Sequence, residues 1–273
     1  MKKLVVLTVF FSLALATGSM RLATTTSVND SGLLDYILPG FTQETGIEVQ
    51  VIAVGTGQAL AIAGRGDADA VLVHAPNLEA KFLREGKGVD HACIAYNNFL
   101  IVGPPSDPAG VRWELSAINA FRKIYLKGAL FISRGDNSGT YNREQQLWKA
   151  AGLDPRGKPW YLESGSGMGA TLTLASEKGA YTLTDLGTYL FVRDKVNLKD
   201  LYNHPDEIML NQYSYMVVNP KRFPGLNTEA AYKLREYLLR PDVQKAIGEY
   251  MKSRFGQSLF NPLYGKCKVE VTP

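Results

Sequence analysis

The chain reads CIAYNNFLIV over residues 93–102, and Gly103-Pro104-Pro105 follows directly. This apolar run is long for a single strand, and the Gly-Pro-Pro segment ends it. We predict that the strand crosses from one lobe of the protein to another. A two-lobed chain must also return, and the apolar run Tyr213–Val218 is the candidate for the second crossing. The hinge is therefore expected near Tyr96–Leu100 and near Tyr213–Val218.

Short apolar segments alternate with amphipathic helical patterns on both sides of this strand. Before it, one helical face gathers apolar residues between Leu34 and Phe41, and an apolar strand pattern follows at residues 47–54. After it, a helical pattern at residues 117–125 precedes a strand pattern at residues 130–133. Such alternation predicts an α/β fold in which each lobe is a mostly parallel sheet flanked by helices. We assign residues 21–97 plus 205–273 to lobe I and residues 98–204 to lobe II.

The N-terminal residues are typical of a secretory signal peptide. Met1-Lys2-Lys3 precede an apolar run from Leu4 to Leu15, which small residues follow. We assign residues 1–20 to this signal, and Gly18-Ser19-Met20 also fits a remnant of a cloning vector. The run is shorter than the ~20 residues that a membrane-spanning helix needs. The sequence therefore predicts a periplasmic or otherwise extracytoplasmic protein that does not span the membrane.

Charge and cysteine content exclude two classes of site. The 273 residues include 30 basic and 26 acidic side chains, and the basic ones are scattered. Without a basic block, the sequence offers no surface suited to a nucleic-acid backbone. Only Cys93 and Cys267 are present, so neither a cysteine-based metal site nor a disulfide framework is expected. The sequence leaves open whether these two cysteines pair with each other.

Four clusters of hydroxyl and glycine residues each lie between a predicted strand and a predicted helix. In an open α/β sheet, ligands bind beyond the carboxyl ends of the strands, where helix N-termini present unpaired N–H groups. Such ends attract anions, and Ser, Thr and Arg side chains add further donors. The clusters therefore predict a site for a small oxyanion. They are residues 24–27 (TTTS), 55–57 (GTG), 133–140 (SRGDNSGT) and 164–169 (SGSGMG).

Other interpretations of the same residues stay open. Ser and Thr are common helix N-caps, so any one cluster alone favours capping over binding. For Arg134, the ordinary alternative to a ligand contact is a salt bridge at the protein surface. His74 directly follows a predicted strand and is the candidate base of an exported hydrolase, although no Ser stands in a Gly-x-Ser-x-Gly elbow. An anion-sensing module is a third class, and the sequence has no helix-turn-helix to support it.

The clusters together resemble the periplasmic tungstate-binding proteins of bacterial ABC transporters, the Tup-type family. The similarity also includes GDADAVLVH at residues 66–74, AYTLTD at residues 180–185 and FGQSLF at residues 255–260. It thus extends over essentially the whole mature chain. The sequence departs from the family pattern at Asn98, Tyr141 and Leu186.

This resemblance implies a two-lobed periplasmic binding protein of the type II kind, which closes on tungstate by a hinge motion and is not an enzyme. It further implies a permease and an ATPase as partners, a monomeric state, and neither a cofactor nor a free metal ion. Molybdate is the nearest alternative ligand, and a sulfate or phosphate receptor is the alternative function. The implied ligand contacts are Thr25, Thr26, Ser27, Thr56, Gly57, Arg134, Ser138 and Thr140, and the clusters themselves add Gly139, Ser166 and Gly167.

The proton content of the ligand supports the same class of anion. Tungstate and molybdate carry no proton near neutral pH, so each oxygen only accepts hydrogen bonds, which suits a site made of donors. Mono-hydrogen phosphate also carries a donor and benefits from a carboxylate acceptor. Asp136 is the evident candidate for such an acceptor.

Overall fold

The computed structural model describes residues 18–271. Lobe I begins with the alternating strands and helices that the sequence predicts, and the buried face of its long second helix includes Leu34, Ile37, Leu38 and Phe41. The elements up to the first crossing are β1 (Gly18–Thr25), α1 (Thr26–Asp30), α2 (Leu33–Thr45), β2 (Ile47–Val54), α3 (Thr56–Ala63), β3 (Ala70–Val73), α4 (Pro76–Arg84) and β4 (Gly88–Gly103).

Lobe II follows β4, and the chain then returns to complete lobe I. The elements of lobe II are α5 (Ala117–Lys127), β5 (Phe131–Ser133), α6 (Gly139–Ala150), β6 (Tyr161–Glu163), α7 (Met168–Lys178), β7 (Thr182–Asp185), α8 (Leu186–Val192) and β8 (Lys199–Tyr202). The returning elements are β9 (Leu210–Val218), α9 (Thr228–Leu239), α10 (Pro241–Glu249), α11 (Lys252–Phe255) and β10 (Asn261–Gly265). Short 3₁₀ segments lie at Val111–Trp113 and Glu207–Met209.

The long strand β4 crosses between the lobes as the sequence predicts. Its residues from Gly88 to Asn98 pair with β9 in lobe I, and its residues from Phe99 to Val102 pair with β7 in lobe II. Beyond the change of partner, Phe99 and Ile101 enter one core of lobe II, while Leu100 and Val102 enter the other. The strand is therefore apolar on both sides because each side covers a different layer of helices.

The return crossing lies between Met209 and Tyr213, just before the predicted hinge segment Tyr213–Val218. Met209 packs in the core of lobe II, whereas Tyr213 packs in the core of lobe I. The expected hinge segment, Tyr213–Val218, is a central strand of lobe I, because Met216 and Val218 face one core while Tyr215 and Val217 face the other. Its apolar character comes from this two-sided burial, which sequence alone does not distinguish from a crossing.

The sheets are mixed rather than mostly parallel. In lobe I the strand order is β10-β4-β9-β3-β1-β2; β1 is parallel to β2 and β3, whereas β9 is antiparallel to β3 and β4. In lobe II β5 and β6 are parallel, and β7 and β8 run antiparallel to β4. A chain that leaves lobe I and comes back must cross in opposite directions, so the two crossing strands pair antiparallel.

Both ends of the described chain are tied to the sheet of lobe I. Gly18, Ser19 and Met20, assigned above to the signal peptide, form the start of β1, and Met20 is buried. The remainder of the predicted signal peptide, residues 1–17, lies outside the described residues. Among residues 18–271, no helix is long and apolar enough to cross a bilayer.

Cys93 and Cys267 form a disulfide, which settles the pairing that the sequence left open. Their Cα atoms are 5.1 Å apart, and 174 positions separate them in the chain. The bond fixes the C-terminal segment after β10 to the middle of β4. Because β4 is also the crossing strand, the bond joins the chain's end to the element that both lobes share.

We predict that the double variant Cys93→Ala, Cys267→Ala unfolds with a free energy lower by ~3–5 kcal/mol, because an unfolded chain without the bond regains the entropy of a long loop. Denaturant unfolding monitored by far-UV circular dichroism checks this. The matched control is Cys93→Ala in a chain reduced beforehand, which should differ little from reduced wild type. A double variant within 1 kcal/mol of the oxidised wild type would contradict the prediction.

Candidate functional site

Three of the four clusters lie at helix N-termini that meet where the lobes face each other. Thr25 ends β1 and caps α1, since its Oγ1 accepts a hydrogen bond from the Val28 N–H at 3.2 Å. Thr56 is the first residue of α3. Ser138 caps α6 through a hydrogen bond from the Tyr141 N–H at 3.1 Å. The capping role and the strand-end position therefore occur together.

His74 joins the hydroxyl groups of the first cluster into one buried network. Its Nε2 lies 3.1 Å from Ser27 Oγ and 3.1 Å from Thr25 Oγ1, and these two oxygens are 3.1 Å apart. On the other side of the ring, Nδ1 lies 2.9 Å from Asn211 Oδ1. An amide oxygen only accepts, so Nδ1 carries the imidazole proton and Nε2 accepts from the hydroxyl groups.

Arg134 is 3% exposed and immediately follows β5. Its Nη2 donates to Asp136 Oδ2 at 2.5 Å, and the other carboxylate oxygen accepts from the Ser138 N–H at 3.2 Å. Arg134 is therefore buried, and its salt bridge with Asp136 is not the surface salt bridge that is its ordinary alternative. Asp136 holds the guanidinium in place, and each of its carboxylate oxygens accepts one hydrogen bond.

The two lobes touch at this site. A Cβ atom added to Gly139 at the start of α6 would lie 2.5 Å from His74 Cε1 and 3.0 Å from the His74 carbonyl oxygen. A Cβ atom on Gly55 would lie 3.5 Å from the Asp136 carbonyl oxygen, and one on Gly57 would lie 3.9 Å from Asn137 Cβ. Gly139 therefore lets the backbone of one lobe approach the other closely, whereas Cβ atoms on Gly55 and Gly57 would make ordinary contacts. The structure thus has the lobes closed on each other.

Buried donors without a protein partner remain in both lobes. Within residues 18–271, Thr56 Oγ1, Arg134 Nε and Thr140 Oγ1 are buried and have no hydrogen-bond partner. A fourth such atom, Asn97 Nδ2, lies on the crossing strand β4. An unsatisfied buried donor costs about 1–3 kcal/mol, so folded proteins rarely keep several together. An anion bound between the lobes would give such donors an acceptor.

The remaining sequence-predicted residues lie at the edge of this group. Thr26 and Gly57 are half-buried at the starts of α1 and α3. Ser166 and Gly167 are half-buried at the start of α7, and the Ser166 hydroxyl donates to the Ser164 carbonyl oxygen at 3.1 Å. The fourth cluster is tied to the third by the Gly165 N–H, which donates to the Arg134 carbonyl oxygen at 2.9 Å. Among residues 18–271, the hydrogen bonds of Ser166 go to Ser164 and Thr171 in lobe II, and a Cβ atom added to Gly167 would have no neighbour within 4 Å.

Sequence reasoning missed the amide pair at the hinge and a buried carboxyl below the site. Asn211 Nδ2 donates to Asn97 Oδ1 at 2.8 Å, which links the two crossing strands. Glu144 on α6 is buried, and its Oε2 accepts from Ser133 Oγ at 2.6 Å. Asparagine inside an apolar strand pattern, as at residues 97 and 211, is the signal that marks the hinge pair.

Burial shifts the pKa values of two titratable groups of the site in opposite directions, and in both cases it favours the uncharged form. Desolvation lowers the pKa of His74 to about 4; Arg134 and Arg143 lower it further, and the hydrogen bond with Asn211 opposes the shift. Desolvation raises the pKa of Glu144 to about 7, against the hydrogen bonds from Ser133, Tyr161 and Trp148. Near neutral pH, His74 is therefore an uncharged acceptor.

Ser27, His74 and Asn211 are hydrogen-bonded in the same order as a nucleophile, a base and the residue that orients the base. A general base works best with a pKa near the working pH, and the pKa of about 4 places His74 well below it. Asn211 supplies no negative charge to stabilise an imidazolium ion. The geometry thus favours His74 as an acceptor that orients hydroxyl groups over His74 as a base.

Comparison with known proteins places the chain in a family. A model of the PBP superfamily domain matches residues 14–242. The tungstate-binding protein TupA of Peptoclostridium acidaminophilum is 45% identical over 90% of this chain and 86% of its own length. A crystal structure of the tungstate ABC transporter from Geobacter sulfurreducens is 47% identical, with a TM-score of 0.78 over 85% of this chain and 98% of that one. The tungstate-binding protein TupA from Desulfovibrio alaskensis G20 is 41% identical, with a TM-score of 0.78 over 90% and 99%.

The two shifted groups predict opposite dependences of stability on pH. Between pH 4 and 6.5 the unfolded chain protonates His74 and the folded chain does not, so the free energy of unfolding falls as pH falls. Between pH 4.5 and 7 the folded chain protonates Glu144 and the unfolded chain does not, so the free energy of unfolding rises as pH falls.

Relative to wild type, we expect Glu144→Gln to lose about 2–3 kcal/mol of stability between pH 6.5 and 4.5, and His74→Gln to gain a similar amount over that range. Denaturant unfolding at pH 6.5, 5.5 and 4.5 measures both trends. His204→Gln, an exposed histidine, is the control and should parallel wild type. If the stability of Glu144→Gln and of His74→Gln changed with pH in parallel with that of wild type, the assignment of the two pKa shifts would be wrong.

Proposed function

Because the chain belongs to the PBP superfamily and, within it, to the family of tungstate-binding TupA proteins, we propose that it captures tungstate outside the cytoplasm and delivers it to an ABC transporter. The observation that carries this proposal is the set of buried donors without partners, contributed by lobe I at Thr56 and by lobe II at Arg134 and Thr140. A tetrahedral anion has enough acceptor oxygens to serve both lobes at once.

The acceptors near the site are already engaged, which favours a fully deprotonated anion. Both oxygens of Asp136 accept hydrogen bonds, from Arg134 and from the Ser138 N–H. Both oxygens of Asp185, at the start of α8, accept from Thr188. A ligand that carries its own O–H, such as mono-hydrogen phosphate, would have to share these acceptors, and an O–H group left unpaired would cost about 1–3 kcal/mol.

The positive character of the site comes from backbone and side chain together. The N-termini of α3 and α6 point unpaired N–H groups towards the contact between the lobes, and each such end stabilises an anion by ~0.3–2 kcal/mol. Asp136 neutralises much of the Arg134 charge but leaves its Nε–H free for a ligand. Arg134 therefore keeps one N–H group that can donate to a ligand, while its charge is not buried without a partner.

Closure of the lobes gives the transporter a signal to recognise. Thr56 and the Thr25–Ser27 segment belong to lobe I, and Arg134 and Thr140 belong to lobe II, so full coordination requires closure. A permease and an ATPase are the proposed partners, and the anion needs no additional cofactor. The proposal includes export through the N-terminal signal, a monomeric state and the absence of catalysis.

We expect calorimetric titration to show tungstate binding at nanomolar or lower Kd, molybdate in the same range, and sulfate and phosphate far weaker. Arg134→Ala should weaken tungstate binding at least tenfold, because a charged hydrogen bond contributes ~1.5–3 kcal/mol. Arg156→Ala is the matched control, since Arg156 lies exposed in the same lobe and pairs with Asp154. Equal loss in both variants, or no heat with any oxyanion in folded, ligand-free protein, would overturn the proposal.

Gly139→Ala tests closure separately from ligand contact. The added methyl group would collide with the His74 ring and backbone only when the lobes are closed, so tungstate affinity should fall at least tenfold while the ligand-free protein keeps its stability. Gly169→Ala places the same methyl group in the first turn of α7, where nothing lies within 4 Å, and should bind as wild type does. Unchanged affinity in Gly139→Ala would show that ligand binding does not need this contact.

A further inference from the structure

A second cluster of ligating side chains lies away from the candidate anion site, where β4 meets the C-terminal segment. His91, Cys93 and Cys267 place one nitrogen and two sulfur atoms within 4.8 Å of one another. His91 Nδ1 lies 3.8 Å from Cys267 Sγ. Two cysteines alone predict no metal site, and no local sequence pattern indicates that His91 joins them.

A buried carboxylate fixes the orientation of His91. Glu79 on α4 has a fully buried side chain, and its Oε2 lies 3.2 Å from His91 Nε2. Its Oε1 accepts from the Ala75 N–H at 2.7 Å, which anchors the carboxylate to the start of α4. Since Nε2 is held by Glu79, the other ring nitrogen is directed at the sulfur atoms. A carboxylate behind a histidine is the arrangement that commonly orients zinc ligands.

We propose that the Cys93–Cys267 disulfide, once reduced by a dithiol, becomes with His91 a three-ligand site for Zn²⁺. The reductant transfers two electrons and two protons to the disulfide and is itself oxidised to a disulfide. The two thiols then release their protons as they bind Zn²⁺ as thiolates. Two cysteines and one histidine are a known ligand set for zinc, with a water molecule as the fourth ligand.

The distances fit this chemistry. Zinc bonds of about 2.3 Å to sulfur and 2.0–2.1 Å to nitrogen, in a tetrahedral site, place neighbouring sulfur and nitrogen ligands about 3.6 Å apart. The observed separation of His91 Nδ1 from Cys267 Sγ is 3.8 Å, so His91 is already in place. The two sulfur atoms must move to about 3.8 Å from each other in such a site, and their Cα atoms, 5.1 Å apart, allow this by side-chain rotation.

The consequence is that a metal ion takes over the structural role of the disulfide. Cys93 is fully buried on β4, and Cys267 is half-buried in the segment after β10, so a reductant reaches the bond from the Cys267 side. Zinc bound at the three ligands would keep the C-terminal segment attached to the crossing strand under reducing conditions. The protein would then keep its fold in either redox state, provided zinc is present.

The test is a titration of the protein with Zn²⁺ against a chromophoric chelator, in its oxidised form and after reduction by a phosphine that does not bind zinc. Reduced wild type should bind one Zn²⁺ per chain, and the oxidised form should bind none at this site. In reduced protein, His91→Ala should weaken zinc binding at least tenfold and Glu79→Gln by ~10–100-fold. His204→Ala is the control histidine and should bind as wild type does.

A spectroscopic readout separates this site from adventitious binding. Co²⁺ added to the reduced protein should give a sulfur-to-cobalt charge-transfer band, and Cys267→Ser should lose it. Tungstate titration of oxidised His91→Ala and Glu79→Gln checks that each variant is folded. Equal zinc binding by oxidised and reduced protein, no loss in His91→Ala, or a reduced protein that unfolds and is not restored by Zn²⁺ would each overturn the proposal.

Discussion

The side chain of Asn211 connects the crossing strands to the candidate anion site. Its Nδ2 donates to Asn97 on β4, and its Oδ1 faces His74 Nδ1 at the end of β3. This pairing fixes the imidazole proton on Nδ1, so that Nε2 must accept from the hydroxyl group of Thr25 or Ser27. The hinge and the orientation of the donors therefore depend on one buried network. Networks of this kind hold a single arrangement because any broken member leaves another polar atom unpaired.

Closure of the lobes without a ligand is unfavourable, because it buries hydrogen-bond donors that have no partner. Each of Thr56 Oγ1, Arg134 Nε and Thr140 Oγ1 carries a desolvation cost of about 1–3 kcal/mol when unpaired. An anion bound as proposed would remove that cost only when the lobes are closed, so binding and closure would be coupled through the same atoms. Burial also raises the pKa of Glu144 to about 7, so the carboxyl below Ser133 opposes an incoming anion less than an exposed glutamate would.

The sequence predicts the elements and the site's donors better than it predicts the arrangement of the strands. Thr25, Thr56, Arg134 and Ser138 can be found because each follows a strand and starts a helix, a purely local pattern. The insertion of β9 between β3 and β4 depends on pairing between distant segments, which no local pattern encodes. The pattern of Tyr213–Val218 also fits a crossing strand, because buried strands and crossing strands are equally apolar. The position of His74 after a strand marks it as a candidate site residue. Its role does not follow from the sequence, because the partner that fixes its proton lies 137 positions away.

Contacts between the lobes also limit the size of the ligand. Gly139 leaves no room for a side chain beside the His74 ring and carbonyl oxygen, so the lobes have little space to move closer there. Packed interiors yield little to compression, so this contact limits closure. In the proposed site, an anion too small for the closed lobes would leave some donors out of reach, and a larger one would hold the lobes apart. For the proposed anion site, discrimination would then rest on two features: the buried donors Thr56 Oγ1, Arg134 Nε and Thr140 Oγ1, which need an acceptor, and the contact of Gly139 with His74, which limits how far the lobes close.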